Sequence, residues 1–326
     1  MALRVGILGA GYIGSLHAQV LASDARVQLT AVGDAVAERA EELAAHYGAV
    51  PCSGPHALPR MLEAGVDALY ICVPNVQHAA AALQALQAGV HVFLEKPFAT
   101  TLDDAQALLE TAQAAPGVCQ VGHSRRFAPV YQFVRQALEQ GFVAYSADIK
   151  MNRGELQRPP WTADPAVTGG FLYETPIHQC DLIRWLLGDV ASVHALAAAN
   201  CYRDLDDFAV LLALRDGRFC TLTTCAHTGW LFPFERWELH GDHRMLVTDE
   251  LERVALTTGL DAETVVRDYA QLPFAQKGGY VQESRAFVDA VLSGGPALVT
   301  AEDGYHAVAL AAAIDRSARQ HRIVEL

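Results

Sequence analysis

A glycine-rich turn, set between an apolar run and a helix and followed by a distant acid, constrains this chain more than anything else in it. The run Leu3 to Leu8 leads into Gly9-Ala10-Gly11-Tyr12-Ile13-Gly14. A helical stretch, Ser15 to Ala22, comes next, then a second apolar run, Val27 to Val32, and Asp34 stands 20 positions past Gly14. Strand, glycine turn, helix, strand, acid is the order that holds a dinucleotide. Gly9 permits a sharp turn off the strand, Gly11 lets backbone approach a pyrophosphate, and Gly14 lets the helix pack closely on the sheet. Tyr12 and Ile13 offer backbone N–H groups at a helix N-terminus that favours an anion. Asp34 is placed to accept the adenosine ribose hydroxyls and to repel a 2′-phosphate, which favours NAD over NADP. Arg39 is the cation that a 2′-phosphate could use instead.

The rest of the composition narrows the partners. The chain has 326 residues, 52% hydrophobic and 19% charged, enough for about two globular domains. A formal net charge of −13 argues against nucleic acid and anionic membrane surfaces. No apolar run approaches the roughly 20 residues that span a bilayer, and no targeting pattern precedes the first strand, so a cytoplasmic protein is expected. The seven cysteines form no Cys-x-x-Cys pair, which disfavours a disulfide framework or structural zinc. His227, His240 and His243 lie close in sequence without metal-ligand spacing, and no metal is expected.

Up to about residue 120, strands predicted at Arg4–Leu8, Val27–Val32, Ala68–Val73, His91–Leu94 and Val118–Val121 alternate with helices at Ile13–Ala22, Val36–Tyr47, Val76–Gln87 and Leu102–Ala115. The strands are almost continuously apolar, as buried parallel strands are. Pro51–Glu63 reads as short and less regular. Beyond Arg126 the period becomes two, with strands predicted at Val143–Met151, Val193–Tyr202, Asp207–Leu214, Arg218–Ala226, Trp237–Leu239, Met245–Thr248 and Val254–Leu256. Asp216-Gly217 reads as a hairpin turn. Helices are predicted at Ile177–Leu187, Tyr280–Leu292 and Ala301–Gln320, the first capped by Thr175 and starting at Pro176. The fold class is α/β: a doubly wound parallel sheet over residues 1–122, then an α+β domain with a large, mostly antiparallel open sheet over 123–326. An open sheet needs cover, and subunit pairing supplies it.

The run at His91 ends in Glu95-Lys96-Pro97, where ligands of open α/β sheets bind. The strand Ala68–Val73 likewise ends in Pro74-Asn75, with His78 starting the next helix, and Arg126-Phe127-x-Pro129 and Gly169-Gly170…His178-x-x-Asp181…Trp185-Leu186-x-Gly188 come later in the chain. With the glycine turn, this set resembles the glucose–fructose oxidoreductase / inositol 2-dehydrogenase / rhizopine catabolism (Gfo/Idh/MocA) family. The resemblance implies a Rossmann domain followed by an open-sheet domain, NAD or NADP as cofactor, a sugar or polyol substrate, and a homodimer or homotetramer through the sheet. It implies that Lys96 and His178 are catalytic, with Glu174 where relatives commonly carry an aspartate. Pro74, Asn75, His78 and Glu95 then line the cofactor site with Gly9, Gly11, Tyr12, Ile13, Gly14, Asp34 and Lys96. Arg126, Arg153, Trp161, Tyr173 and Asp181 are candidate substrate contacts.

From the residues alone, His178, Asp181 and Trp185 fall at offsets of 3 and 7, one stripe of a helix. Loss of a hydride from an alcohol carbon requires loss of the hydroxyl proton. Histidine suits the base role, and a lysine cation stabilises charge on the same oxygen. Two other functions share the fold: redox-neutral sugar processing with tightly held NAD, and a nucleotide-sensing regulator without catalysis.

Overall fold

Apolar runs too short for helices and bounded by glycine become parallel strands in the computed structural model, which describes residues 2–229 and 234–326. The chain forms two compact units: residues up to His123 together with Tyr280–Tyr305, and Ser124–Gly279 together with His306–Leu326. The first contains β1 (Leu3–Leu8), α1 (Tyr12–Ala22), β2 (Val27–Asp34), α2 (Ala37–Tyr47), β3 (Val50–Ser53), α3 (Ala57–Glu63), β4 (Ala68–Ile71), α4 (His78–Gln87), β5 (His91–Glu95), α5 (Leu102–Ala114) and β6 (Cys119–Gly122). Their sheet runs β3-β2-β1-β4-β5-β6, every pair parallel. Strand order reverses between β1 and β4, so the loops after these two strands flank the crevice where such sheets bind ligands.

Helix Tyr280–Ser293 completes this unit from late in the sequence. Its Phe287 and Val288 join Val5, Ile7, Leu21, Tyr70 and Phe93 in one buried cluster. The Phe287 ring stands edge-on to Tyr70 at 5.4 Å and to Phe93 at 5.7 Å. A single cut at 122/123 does not describe this return of the chain. The stretch Pro51–Glu63 is also more regular than expected, giving β3 and α3. Pro51 is tolerated because β3 is an edge strand.

The second unit contains α6 (Pro129–Glu139), β7 (Ser146–Met151), α7 (Ile177–Leu187), β8 (Val190–Ala198), β9 (Asp207–Leu214), β10 (Phe219–Cys225), β11 (Glu235–Gly241), β12 (Arg244–Asp249), β13 (Arg253–Thr257), β14 (Thr264–Asp268) and β15 (Val324–Glu325). The sheet order is β14-β13-β12-β11-β7-β10-β9-β8-β15. Its pairs are antiparallel except β7 with β10. Burial alternates along β9 and β11, so one face is packed. The Asp216-Gly217 hairpin joins β9 to β10, with Gly217 at φ +90°. Helix Ala301–Gln320 continues from one unit into the other. The elements α6, β14 and β15 are additions to those the sequence pattern predicts. Among the described residues no helix is long and apolar enough to cross a membrane.

Candidate active site

The glycine turn is built by close packing at two positions and by open space at the third. Gly9 has φ +100°, and a Cβ there would lie 2.4 Å from the Cys72 carbonyl oxygen. A Cβ on Gly14 would lie 1.8 Å from the Gly9 carbonyl oxygen. Gly11 differs: its Cβ would meet nothing within 4 Å. The first turn of α1 holds no acid, and its N-cap, Gly11, offers no side-chain acceptor. The leading N–H groups, with those of exposed Tyr12 and of Ile13, therefore suit an anion. Asp34 ends β2 and does more than the ribose role predicts. Its Oδ2 accepts the Ala10 N–H at 2.8 Å and its Oδ1 the Val36 N–H at 2.8 Å. The same carboxylate thus fixes the turn and the start of α2. These residues fit a dinucleotide.

The loops after β4 and β5 reach the same carboxyl edge of the sheet. Pro74 opens a turn in which Asn75 is buried. His78 is buried with Nδ1 2.7 Å from the Pro97 carbonyl oxygen and Nε2 2.8 Å from that of Val73. Burial holds this ring's pKa below the ordinary imidazole value, against the pull of the two carbonyls. Glu95 is buried, with Oε1 2.8 Å from His17 Nε2 and Oε2 accepting the Lys96 N–H at 3.1 Å. The family resemblance places His78 and Glu95 against the cofactor. In the structure their polar atoms are engaged by the protein itself and shape the loops. Lys96 is half-buried at the strand end.

In the second unit α7 carries the predicted stripe. His178 and Asp181 are buried in it and Trp185 is half-buried. Thr175 does not cap the helix. The N-cap is Pro176, which makes no side-chain hydrogen bond; the Thr175 hydroxyl instead accepts from Arg153 at 3.3 Å. Glu174 is buried, its Oε1 3.1 Å from an Arg153 nitrogen. Asp181 takes both ends of the Arg126 guanidinium fork, at 2.6 and 2.8 Å. That pair is a bidentate brace within the unit. Tyr173 is buried, and desolvation pushes its hydroxyl up to about 12. Trp161, 40% exposed, lies in the turn Pro160–Ala163.

Some groupings are invisible in the sequence. His17 lies on the buried stripe of α1 with Gly14, Ala18 and Leu21; a histidine in an apolar helical stripe is the available signal. Glu235 gathers Arg125, Tyr131 and Gln179 over long sequence separations. His227 lies beside Asp207 and Cys225, with donor atoms within 4.8 Å, rather than with His240 and His243. Its Nε2 is already 3.2 Å from the Asp207 carboxylate. His17, Glu95 and Glu283 form a second such group, fully buried.

A doubly wound sheet, a glycine cradle open at Gly11 and a lysine on the same edge define a dinucleotide-dependent oxidoreductase. The chain belongs to the Gfo/Idh/MocA oxidoreductase family. Residues 3–123 match its NAD-binding Rossmann fold and residues 135–326 its C-terminal alpha/beta domain. The chain is 28% identical to inositol 2-dehydrogenase of Rhizobium meliloti (strain 1021), over 100% of both chains. It is 32% identical to inositol 2-dehydrogenase 2 of Saccharopolyspora erythraea, over 96% of this chain and 92% of that one. Among solved structures, UDP-N-acetylglucosamine 3-dehydrogenase from Acidithiobacillus ferrooxidans superposes with a TM-score of 0.84 at 26% identity, covering 98% of this chain and 99% of that one.

Proposed function

We propose that this enzyme moves a hydride between NAD and a secondary alcohol of a sugar, polyol or related compound, with Lys96 and His178 as its catalytic residues. The observation that carries the reading is the placement of Lys96 on the same carboxyl edge as the Gly9–Gly14 cradle. Gly9, Gly11, Gly14, Asp34 and the first turn of α1 hold the dinucleotide. When bound, the nicotinamide supplies the hydride acceptor or donor. Lys96 donates a hydrogen bond to the alcohol oxygen and stabilises its developing negative charge. His178 takes the hydroxyl proton and returns it in the reductive direction. Glu174 and Arg153, tied to each other, orient the polar face presented to the substrate. The relatives act on polyols and a sugar nucleotide, which supports a polyhydroxylated substrate.

The open sheet face supports a homodimer, or a homotetramer built from it. Seven free cysteines and the need for a nucleotide pool support the cytoplasm. The test is a panel of inositols, aldoses, sugar acids and amino sugars offered with NAD and with NADP, following reduced-nucleotide absorbance. On the alcohol oxidised fastest, Lys96→Ala is expected to lower kcat about 100-fold or more, with the Kd for NAD within about threefold. Unchanged turnover in that variant removes the role given to Lys96, and the absence of any NADH formation across the panel removes the dehydrogenase reading.

A further inference from the structure

His17 belongs to none of the chemistry above, yet it shares the Glu95 carboxylate with the Lys96 N–H. It sits on α1 one turn past Gly14 and is fully buried. Phe93, Tyr70 and Tyr280 surround its ring at centroid distances of 4.9, 5.1 and 5.8 Å, edge-on or tilted, and hold its plane. Nδ1 lies 3.3 Å from Ser284 Oγ, and Nε2 lies 2.8 Å from Glu95 Oε1. The other Glu95 oxygen accepts the Lys96 N–H. Gly122 leaves room for this carboxylate, since a Cβ there would lie 3.2 Å from its carboxyl carbon. On the far side of Lys96, the Pro97 carbonyl oxygen lies 2.7 Å from His78. The backbone around Lys96 is therefore gripped by two imidazoles, each rooted in a helix.

Burial by itself would raise the Glu95 carboxyl; the hydrogen bond and charge of His17, with Lys96, hold it below its ordinary value, so the carboxylate is ionised at neutral pH. A buried ionic contact is weak support for stability, because well-packed apolar side chains of similar volume often do as well. What it does supply is geometry, and reacting groups must be held to within about 0.5 Å. The contact also joins two particular places: the helix whose first turn faces the cofactor, and the strand end that carries Lys96.

We propose that His17 is a positioning residue of the reaction, acting through Glu95 to fix the Lys96 peptide relative to the first turn of α1. This rests on the role given to Lys96. The experiment is a double-mutant cycle in the full chain, with NAD and the panel alcohol oxidised fastest. Turnover, KM, NAD affinity and thermal midpoint are measured for wild type, His17→Ala, Lys96→Ala and the double variant. His17→Ala is expected to lower kcat tenfold or more where Lys96 is kept, but less than threefold in the Lys96→Ala background, with NAD affinity within threefold in both. If His17→Ala does not fold, His17→Asn, too short to reach Glu95, goes through the same cycle with the same expectation. Equal losses in both backgrounds, or a lower thermal midpoint with unchanged kcat, overturn the inference and leave Lys96 catalytic. Wild-type turnover in Lys96→Ala overturns both.

Discussion

At the scale of single residues, the glycines of the turn separate two reasons for having no side chain. Gly14 is required by the fold, because a Cβ would press on the Gly9 carbonyl oxygen at 1.8 Å. Gly11 is required only by what approaches it, since the space in front is open. Gly11→Ala should therefore keep the wild-type thermal midpoint and weaken NAD binding about tenfold or more, by obstructing the pyrophosphate. Gly14→Ala should lower the midpoint by several degrees as well. Calorimetry beside an NAD titration separates them, and an unaltered Kd in Gly11→Ala would count against the cradle. The spacing of the three glycines and Asp34 is legible in the sequence because local order alone determines it. That Asp34 also accepts two backbone N–H groups is not, since the carboxylate acts on a turn 24 residues away.

At the scale of elements, what can be read is whatever a local period determines. Helix α7 runs over Ile177–Leu187, as its stripe predicts, because apolar residues recur at helical spacing there. Its start differs from the expected cap, because what Thr175 bonds depends on Arg153, 22 residues upstream. Helix α6 is hard to see although its apolar face is marked, since Pro129 at its first position reads as a break. The least legible feature is Glu235 at the start of β11. It is fully buried, 3.1 Å from Arg125 Nε, 2.6 Å from Tyr131 Oη and 3.3 Å from Gln179 Nε2. Glu235→Ala removes a carboxylate paired with a buried guanidinium and should cost about 3–5 kcal/mol of unfolding free energy, measured by urea titration. A loss below about 1 kcal/mol would show that water reaches the pair.

The turn from β12 to β13 carries a pH-dependent element. Glu250 sits at φ +52°, and its Oε1 accepts the Phe234 N–H at 2.6 Å. Burial, then the neighbouring charges of Glu235 and Asp249, push its carboxyl up to about 7. Folding therefore binds a proton that the unfolded chain releases near its ordinary value. Stability from this group is complete below about pH 4.5 and is lost as pH rises toward 7. Glu250→Gln keeps an acceptor for Phe234 and removes the titration. Its thermal midpoint should equal that of wild type near pH 4.5 and exceed it at pH 8. A pH-independent difference would reject this account.

At the scale of the molecule, the two units differ in how their sheets are covered. The parallel sheet, whose last strand ends at Gly122, receives the helix Tyr280–Ser293 from far along the chain. No local signal places that helix, so the sequence pattern assigns it to the second domain. On the antiparallel sheet, apolar side chains of three neighbouring strands are exposed. Leu196 on β8, Leu211 on β9 and Phe219 on β10 are 61%, 50% and 53% exposed. Register sets Leu211 opposite Thr221 and Phe219 opposite Ala213, so these side chains share one face of neighbouring strands. Three exposed apolar side chains on adjacent strands suit a partner better than water. A second copy of the same face is self-complementary about a twofold axis, and about 800 Å² per partner makes a stable interface. Leu211 is central to the patch, so Leu211→Lys sets two cations near the axis at once. Wild type should sediment as a dimer or tetramer and Leu211→Lys as a monomer at the same concentration, with an unchanged far-ultraviolet spectrum. A wild-type monomer would refute the pairing, as would a Leu211→Lys protein that keeps the wild-type sedimentation coefficient.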